Sequence, residues 1–247
     1  MFANFTVYAL SSSFLAFSPI ISPSSFSILS RLAFHQIHMK NCLSNFFFDH
    51  SNLPAVEFSY STFSNFLKTP ISVEKYSENK LLYQEINNQH CDSNDIFTVI
   101  GCTFTNCTIG ESSPDFVRGG AIKYQSGNNI GNITIYGSTF ENCQTLNGDG
   151  GAIFVCKEEH STSYDSNHTL ANYFNSSYCC YSRCSALGPE NQQVAGYGPV
   201  MFIFAKTIEI FYSTAVKCPP EGQSYGAQFD LKSNTIRSSY INSTRGR

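Results

Sequence analysis

The chain has 247 residues, of which only 13% are charged and 15% are aromatic, and its formal net charge is -3 at pH 7. Lys and Arg are scattered rather than clustered, which argues against a nucleic-acid-binding surface, because phosphate recognition needs a basic stripe or patch. Hydrophobic residues make up 42% of the sequence, which is enough to form a buried core. Trp is absent, but 22 Phe and 14 Tyr occur among Gly, Asn and Ser turns, a composition typical of many short strands.

Residues 1–30 are the least regular part of the chain and are expected to form an irregular N-terminal coil. The apolar run at residues 14–21 is interrupted by Pro19, and no basic residue precedes Arg31. A secretory signal peptide needs a basic start, a continuous apolar stretch and a small-residue cleavage site, so the sequence predicts none here. The longest later apolar stretch, residues 200–216, is too short and too charged to predict a transmembrane segment.

Short alternations of apolar and polar residues predict β-strands along the chain. The alternating apolar positions are Val56, Phe58 and Tyr60, then Phe97 and Val99, then Ile133 and Ile135, and finally Ile208 and Ile210. No window of eleven or more residues has a convincing helical period with caps, and the best helical candidate is the short segment 76–86. The sequence therefore indicates an all-β protein.

Residues 101–155 contain the clearest internal repeat. The segment CTFTNC at residues 102–107 is followed by GGAI at 119–122, and STFENC at 138–143 is followed by GGAI at 150–153. Weaker copies of the six-residue unit are found at 37–42 (IHMKNC), 61–66 (STFSNF), 179–184 (CCYSRC) and 213–218 (STAVKC). The ends of successive copies lie 24 to 41 residues apart, a loose period that surface insertions can produce.

A repeat of this length is the signature of a solenoid, and β-patterning makes it a parallel β-helix, whose successive coils stack about 4.8 Å apart. Equivalent residues should then form ladders. The predicted internal aromatic ladder consists of Phe63, Phe104, Phe140 and Tyr181. The residues predicted at a bend, where Asn tolerates a left-handed backbone, are Asn65, Asn106 and Asn142. The predicted glycine corners with positive φ, each followed by an inward Ile, are Gly119, Gly120 and Ile122, and Gly150, Gly151 and Ile153.

The combination of Phe-x-Asn with Gly-Gly-Ala-Ile resembles the repeat of the chlamydial polymorphic outer membrane proteins. The Cys that follows Asn, at Cys107 and Cys143, is similar to large Cys-rich families of predicted surface proteins in flagellate protists. The match covers residues 101–155 and is degenerate elsewhere. The resemblance implies a right-handed parallel β-helix, display on the cell surface and an adhesive role. We accordingly predict one β-helix domain over residues 1–247, with five to seven coils, as a fragment or truncated member of a larger family.

Cysteines and glycosylation sequons both favour an exported protein. The chain contains ten Cys, and its six sequons begin at Asn4, Asn106, Asn132, Asn167, Asn175 and Asn242. The alternative is chance, because a chain rich in Asn, Ser and Thr generates sequons freely. The ladder cysteines Cys107, Cys143, Cys184 and Cys218 are predicted to be mostly reduced, with one or two lateral disulfide bridges, since buried Cys packs as a small hydrophobic residue.

The sequence predicts no catalytic residue, cofactor or metal ligand. Galacturonan hydrolysis needs paired carboxylates, but Asp92 and Asp95 fall in a polar loop, and Asp149 suits a turn. The acidic residues Glu158 and Glu159 are the remaining candidates for a lyase-type site. The spacing His35-x-x-His38-x-x-x-Cys42 resembles a metal motif, but in a strand the two His would point to opposite faces. Of the adjacent Cys179 and Cys180, one is expected to pack inward.

The favoured function is a non-enzymatic cell-surface or extracellular module for adhesion or interaction. Its expected partners are host- or neighbouring-cell surface proteins or glycans, and neither nucleic acid nor a membrane-spanning segment is expected. Two alternatives stay open: a polysaccharide-acting enzyme of the pectin-lyase-like class, and a partial gene product without a function of its own. A groove of carboxylates on adjacent coils would favour the enzyme, whereas a face of Ser, Thr and Asn would favour the module.

Overall fold

The computed structural model describes the chain in eleven segments. These are residues 3–8, 10–13, 19–22, 29–49, 55–75, 95–110, 117–126, 131–156, 171–187, 198–218 and 228–244. Within them the fold is all-β without a helix, and the strands pair in parallel, which confirms the predicted class. Accordingly, the described residues contain no helix that is long and apolar enough to cross a membrane. The helical candidate at 76–86 lies outside these residues.

Twenty-five strands occur in the described residues. The first twelve are β1 (Ala3–Tyr8), β2 (Ser11–Ser13), β3 (Leu29–His35), β4 (His38–Cys42), β5 (Phe47–Asp49), β6 (Ala55–Ser59), β7 (Thr62–Phe66), β8 (Ile71–Lys75), β9 (Ile96–Ile100), β10 (Thr103–Ile109), β11 (Val117–Arg118) and β12 (Ile122–Ser126). The others are β13 (Asn132–Tyr136), β14 (Thr139–Glu141), β15 (Gln144–Thr145), β16 (Gly148–Asp149), β17 (Ile153–Cys156), β18 (Ala171–Ser177), β19 (Cys180–Ser182), β20 (Ser185–Ala186), β21 (Met201–Phe211), β22 (Thr214–Val216), β23 (Phe229–Lys232), β24 (Thr235–Ser239) and β25 (Asn242–Thr244).

Most of the strands form three stacked sheets that the chain visits in turn, while β11 pairs with β16, and β15 pairs with β10 and β20, outside these sheets. Sheet A contains β1, β3, β6, β9, β13, β18, β21 and β24, and sheet B contains β2, β4, β7, β10, β14, β19, β22 and β25. Sheet C contains β5, β8, β12, β17, β21 and β23, and the long strand β21 runs through sheets C and A. Each passage through the sheets is a coil stacked on the one before, an arrangement consistent with a β-helix or similar β-solenoid.

Sheets A and B each contain eight described strands and sheet C contains six, so six described coils pass through all three sheets, a number within the predicted five to seven. Strands β1 and β2 were not predicted, because residues 1–30 contain neither the Cys nor the Gly-Gly pair that marks the repeat. The N-terminal strand β1 nevertheless pairs with β3 over six residues. These coils therefore stack through parallel strand pairing and do not need the Cys and Gly-Gly residues that identify the repeat in the sequence.

The interior contains the aromatic ladder. Phe63, Phe104, Phe140 and Tyr181 are partners in successive strands of sheet B and are fully buried. Their ring centroids are separated by 5.2, 5.0 and 5.0 Å, and neighbouring planes differ by 17° or less. Offset stacking of this kind stabilises a ring pair by about 0.5–1.5 kcal/mol beyond burial. At Tyr181 the ring carries a hydroxyl into the core, where it lies 2.7 Å from Ser176 Oγ.

Sheet A contributes its own inward columns. Phe97, Val99, Ile133 and Ile135 are buried, as their alternation indicates. Tyr60 does not continue the alternation of its strand, because it lies at the corner after β6, with φ of 50° and a side chain that is 65% exposed. The alternation of buried and exposed side chains along a strand therefore ends where the backbone turns.

The corner after sheet B is formed by residues with positive φ. These are Asn41, Asn65, Asn106, Asn142, Arg183 and Lys217. The asparagine amides bond to one another rather than to the backbone: the Nδ2 of Asn65, Asn106 and Asn142 each donate to the Oδ1 of the asparagine one coil before, at 2.7, 3.2 and 2.8 Å. Asn suits this position for two reasons: it tolerates a left-handed backbone, and its amide can both donate and accept a hydrogen bond.

The glycine corner uses its two glycines differently. Gly119 and Gly150 have φ of 68° and 66°, as predicted. Gly120 does not have a positive φ, so that part of the prediction is wrong. A Cβ at Gly120 would instead lie 2.2 Å from the carbonyl oxygen of Gly151 in the next coil. The same holds for Gly151, which faces the carbonyl oxygen of Pro199 at 2.1 Å. The second glycine is needed for close backbone approach. The residues Ile122 and Ile153 that follow are fully buried partners in sheet C.

Candidate interaction surface

A row of exposed tyrosines runs along the corner between sheets A and B. We call it the tyrosine edge, and it consists of Tyr136, Tyr178, Tyr212 and Tyr240. The rings of Tyr178 and Tyr212 stack with centroids 4.9 Å apart and planes within 13°. Tyr212 and Tyr240 stack at 5.0 Å and 10°, while Tyr136 lies 5.2 Å from Tyr178 at a tilt of 59°. Four rings thus form one line over four coils, with exposed fractions of 47 to 75%.

The backbone at this corner is in the left-handed region in every coil for which it is described. Gly101 and Gly137 occupy the position in two coils, with φ of 59° in both. Tyr178, Tyr212 and Tyr240 occupy it with φ of 56°, 48° and 54°. A left-handed backbone costs an ordinary residue roughly 1–2 kcal/mol, and glycine much less. Stacking offsets about 0.5–1.5 kcal/mol of this per pair. Bulky tyrosines at such positions therefore give little net stability.

The rings face one another, so their edges and hydroxyl groups point away from the stack toward solvent. No group in the described part of the chain hydrogen-bonds the hydroxyls of these four tyrosines. A phenol hydroxyl both donates and accepts hydrogen bonds. The edge therefore offers a line of apolar ring edges and hydrogen-bonding groups at a fixed spacing.

Uncharged side chains flank the tyrosine edge on both sides. On the sheet A side the outward column next to the corner contains Tyr136, Ser177, Phe211 and Ser239, so Tyr136 lies one residue before the corner position that Gly137 occupies. On the sheet B side it contains Thr103, Thr139, Cys180, Thr214 and Asn242. We call the outward side chains of β7, β10, β14, β19 and β22 the hydroxyl face, because most of them are Thr or Ser. Its charged side chain Glu141 forms an ion pair with Arg183.

Further from the corner, the outer side of sheet A carries charges that compensate one another. Tyr173 donates to Glu209 at 2.5 Å, and Arg237 Nη1 lies 3.1 Å from the same carboxylate. The hydrogen bond from Tyr173, with the contribution of Arg237, lowers the pKa of Glu209. Arg31 and Glu57 form another ion pair on this side. Glu57 and Glu209 belong to strands four positions apart in sheet A.

The cysteines form interior ladders. Cys107, Cys143, Cys184 and Cys218 are buried free thiols at equivalent positions after the second corner. The described structure contains no bridge between them, so the predicted lateral disulfides are absent from this ladder. Burial raises the pKa of the Cys143 and Cys184 thiols well above the ordinary value. Thiolates are the reactive form of cysteine, and such thiols are chemically inert.

A second ladder alternates Ser and Cys just after the first corner: Ser61, Cys102, Ser138, Cys179 and Ser213. Each side chain donates to the carbonyl oxygen two residues before it, at 2.9, 3.5, 3.1, 3.3 and 3.0 Å respectively. Three of them also accept from a backbone N–H of the preceding coil. Cys here serves as a hydrogen-bonding equivalent of Ser. As expected, one of the adjacent pair Cys179 and Cys180 is inward, and Cys180 is exposed.

The catalytic and metal candidates do not converge in the described residues. No group of three or more His, Cys, Asp or Glu there could hold a metal ion. His35 belongs to sheet A, stacks on Tyr8 and hydrogen-bonds Ser59, whereas His38 is exposed on sheet B. The two histidines lie apart because the corner at Gln36 places them in different sheets, and not because they point to opposite faces of one strand. Asp149 is buried in β16, paired in register with Arg118, and Asp95 is buried beside β9. The candidates Asp92, Glu158 and Glu159 lie outside the described residues.

Sequence reasoning missed the tyrosine edge, although a signal was present. Tyr60, Tyr178 and Tyr212 each come directly before a copy of the six-residue unit, where Gly101 and Gly137 precede the two clearest copies. The occurrence of only Gly or Tyr at this position in five copies of the repeat indicates a left-handed corner with an exposed ring. A Cβ at Gly101 would lie 3.0 Å from Tyr60 Cδ1, so that ring covers the glycine of the next coil.

Comparison with protein-family models, with curated proteins and with solved structures finds no match for this chain.

Proposed function

We propose that this chain is a right-handed parallel β-helix that acts as a non-enzymatic interaction module at the cell surface or outside the cell. The observation that carries the proposal is the tyrosine edge. Tyr is enriched at protein interfaces because one ring supplies a large apolar area and a hydrogen-bonding tip at low conformational cost. Four such rings on a rigid corner form a preorganised contact surface.

The hydroxyl face supports the same function. Protein surfaces that recognise other molecules without catalysis often combine rigid Tyr anchors with small hydroxyl and amide side chains that adapt their hydrogen bonds. The tyrosine edge and the flanking column of Thr139, Cys180, Thr214 and Asn242 have this composition. A Ser, Thr and Asn face is also the pattern that favours a module over a polysaccharide-acting enzyme.

Display outside the cell is supported by the sequons. Asn4 is exposed, and Asn132 and Asn175 lie on the outer side of sheet A, partly accessible to solvent. Glycans at these positions would extend from the N-terminal end and the sheet A side of the described structure. The hydroxyl face carries one described sequon at its far corner, at Asn106.

Binding of the labelled chain to intact cells of the source organism tests the proposal. The variant Tyr178→Gly with Tyr212→Gly removes the two central rings and introduces the residue that Gly101 and Gly137 use at this corner. We expect saturable binding by the unmodified chain and at least tenfold weaker binding by this variant, measured by flow cytometry.

Leu67→Ser provides the matched control, because Leu67 is exposed to a similar extent, 49%, and follows the opposite corner of sheet B. This variant should bind like the unmodified chain. Equal binding by the glycine variant, or unsaturable binding by all three proteins, would overturn the proposed interaction surface.

A further inference from the structure

We infer that the partner of the tyrosine edge is a second copy of this chain, bound edge to edge; this inference rests on the proposed function and names its partner. The first argument is spacing. The rings follow one another at 4.9 to 5.2 Å along the corner, because parallel coils repeat at that distance. An identical edge has side chains at the same interval, so every contact can be repeated along the line.

The second argument is chemical self-complementarity. A row of groups that only donate, or only accept, cannot pair with its own copy. Phenol hydroxyls do both, so two identical rows can exchange hydrogen bonds. The faces of the rings are occupied by one another, at centroid distances of 4.9 and 5.0 Å for the two near-parallel pairs. This leaves little ring face for stacking a sugar and favours contact through edges and hydroxyls.

Symmetry fixes which residues meet. Identical patches pair around a two-fold axis, which sets the two edges antiparallel. The centre of the four-ring line lies between Tyr178 and Tyr212, so Tyr178 of one copy faces Tyr212 of the other. Tyr136 of one copy then faces Tyr240 of the other. The tilted ring of Tyr136 and the most exposed ring, Tyr240, occupy the rim of this contact.

Charge and area are compatible with such a contact. The columns beside the edge are uncharged, so two copies meet without like-charge repulsion. One column contains Ser177, Phe211 and Ser239, and the other contains Thr139, Cys180, Thr214 and Asn242. The half-exposed rings contribute about 400 Å² per copy, from a typical 150–250 Å² for a whole ring. With the flanking columns the contact reaches the lower range of specific interfaces, roughly 600 Å² per partner. We therefore expect a weak dimer that multivalent display on a surface would strengthen.

Sedimentation velocity of the purified chain over a hundredfold range of concentration tests the inference. The unmodified chain should pass from monomer to dimer as the concentration rises. The variant Tyr178→Phe with Tyr212→Phe keeps the stacked rings and removes only the two central hydroxyls, and we expect it to need at least tenfold higher concentration. Leu67→Ser should dimerise like the unmodified chain.

A chain that stays monomeric throughout, or a phenylalanine variant that dimerises as well as the unmodified chain, would overturn the inference. The cell-binding experiment separates this failure from failure of the proposed function. Monomeric protein whose cell binding is lost in the glycine variant would eliminate self-pairing and keep the interaction surface. Cell binding that is indifferent to the tyrosines would eliminate the proposed function instead.

Discussion

Single residues at the corners decide how this chain folds and what it exposes. Asn at the corner after sheet B combines backbone tolerance with an amide ladder. Tyr at the corner after sheet A has no such tolerance, yet Tyr178, Tyr212 and Tyr240 hold positive φ. Strained backbone positions in proteins concentrate at functional sites, and here the strain is accompanied by exposed rings.

Two substitutions of Tyr212 measure whether the ring serves stability. Tyr212→Gly loses the stacking but relieves the left-handed strain, so we expect the free energy of unfolding to change by less than about 1 kcal/mol. Tyr212→Ala loses the stacking and keeps the strain, so we expect a loss of about 1–2 kcal/mol. Urea denaturation monitored by circular dichroism gives both values. If both variants lose more than about 3 kcal/mol, the ring is a structural element rather than a contact surface.

At the scale of the element, each sheet continues because equivalent side chains satisfy each other in register. The Ser and Cys ladder shows this most clearly, because Cys102 and Ser138 make the same bond to the carbonyl two residues before them. Burial raises the pKa of the Cys102 thiol to about 12, from an ordinary value of 9.0. The folded chain therefore retains a proton that the unfolded chain releases above pH 9.

This difference in pKa predicts a loss of stability at alkaline pH. A group whose pKa is raised in the folded state stabilises the fold below its unfolded pKa, and this contribution is lost as the pH rises from 9 toward 12. Each such thiol lowers the free energy of unfolding by about 1.4 kcal/mol per pH unit in that window. Cys102→Ser should fold normally at pH 7 and show a shallower decline from pH 9 to 10.5 in urea titrations. An unchanged decline would show that folding does not raise the pKa of the Cys102 thiol.

Much of the repeat could be predicted from the sequence, because its residue types answer simple physical needs. Large apolar rings such as Phe104 and Phe140 are expected in the interior. Asn106 and Asn142 are expected at a left-handed corner, and Gly119 is expected at a position with positive φ. The role of Gly120 could not be predicted, since it depends on how closely the next coil approaches. The N-terminal coil was expected, but its strands β1 and β2 escaped prediction, because they are held by register with later strands and carry no mark of the repeat.

For the molecule as a whole, stacking of the coils places the residues of one repeat position in a line. A tyrosine at a corner becomes an edge only because sheets A and B repeat the corner at a constant spacing. The same stacking places Thr and Ser beside it and leaves the ladder cysteines Cys107, Cys143, Cys184 and Cys218 inside, inert as thiols. The surface that we propose for interaction is therefore a consequence of the repeat.

The central claim, an interaction module displayed outside the cell, is tested most directly by labelling intact source cells with a membrane-impermeant amine reagent. The chain carries exposed lysines, among them Lys40, Lys206 and Lys217, that such a reagent can reach. We predict that the protein is labelled on intact cells to the same extent as in a lysate. Protein that is labelled only after lysis would contradict surface display, and the sequons would then be accidents of composition.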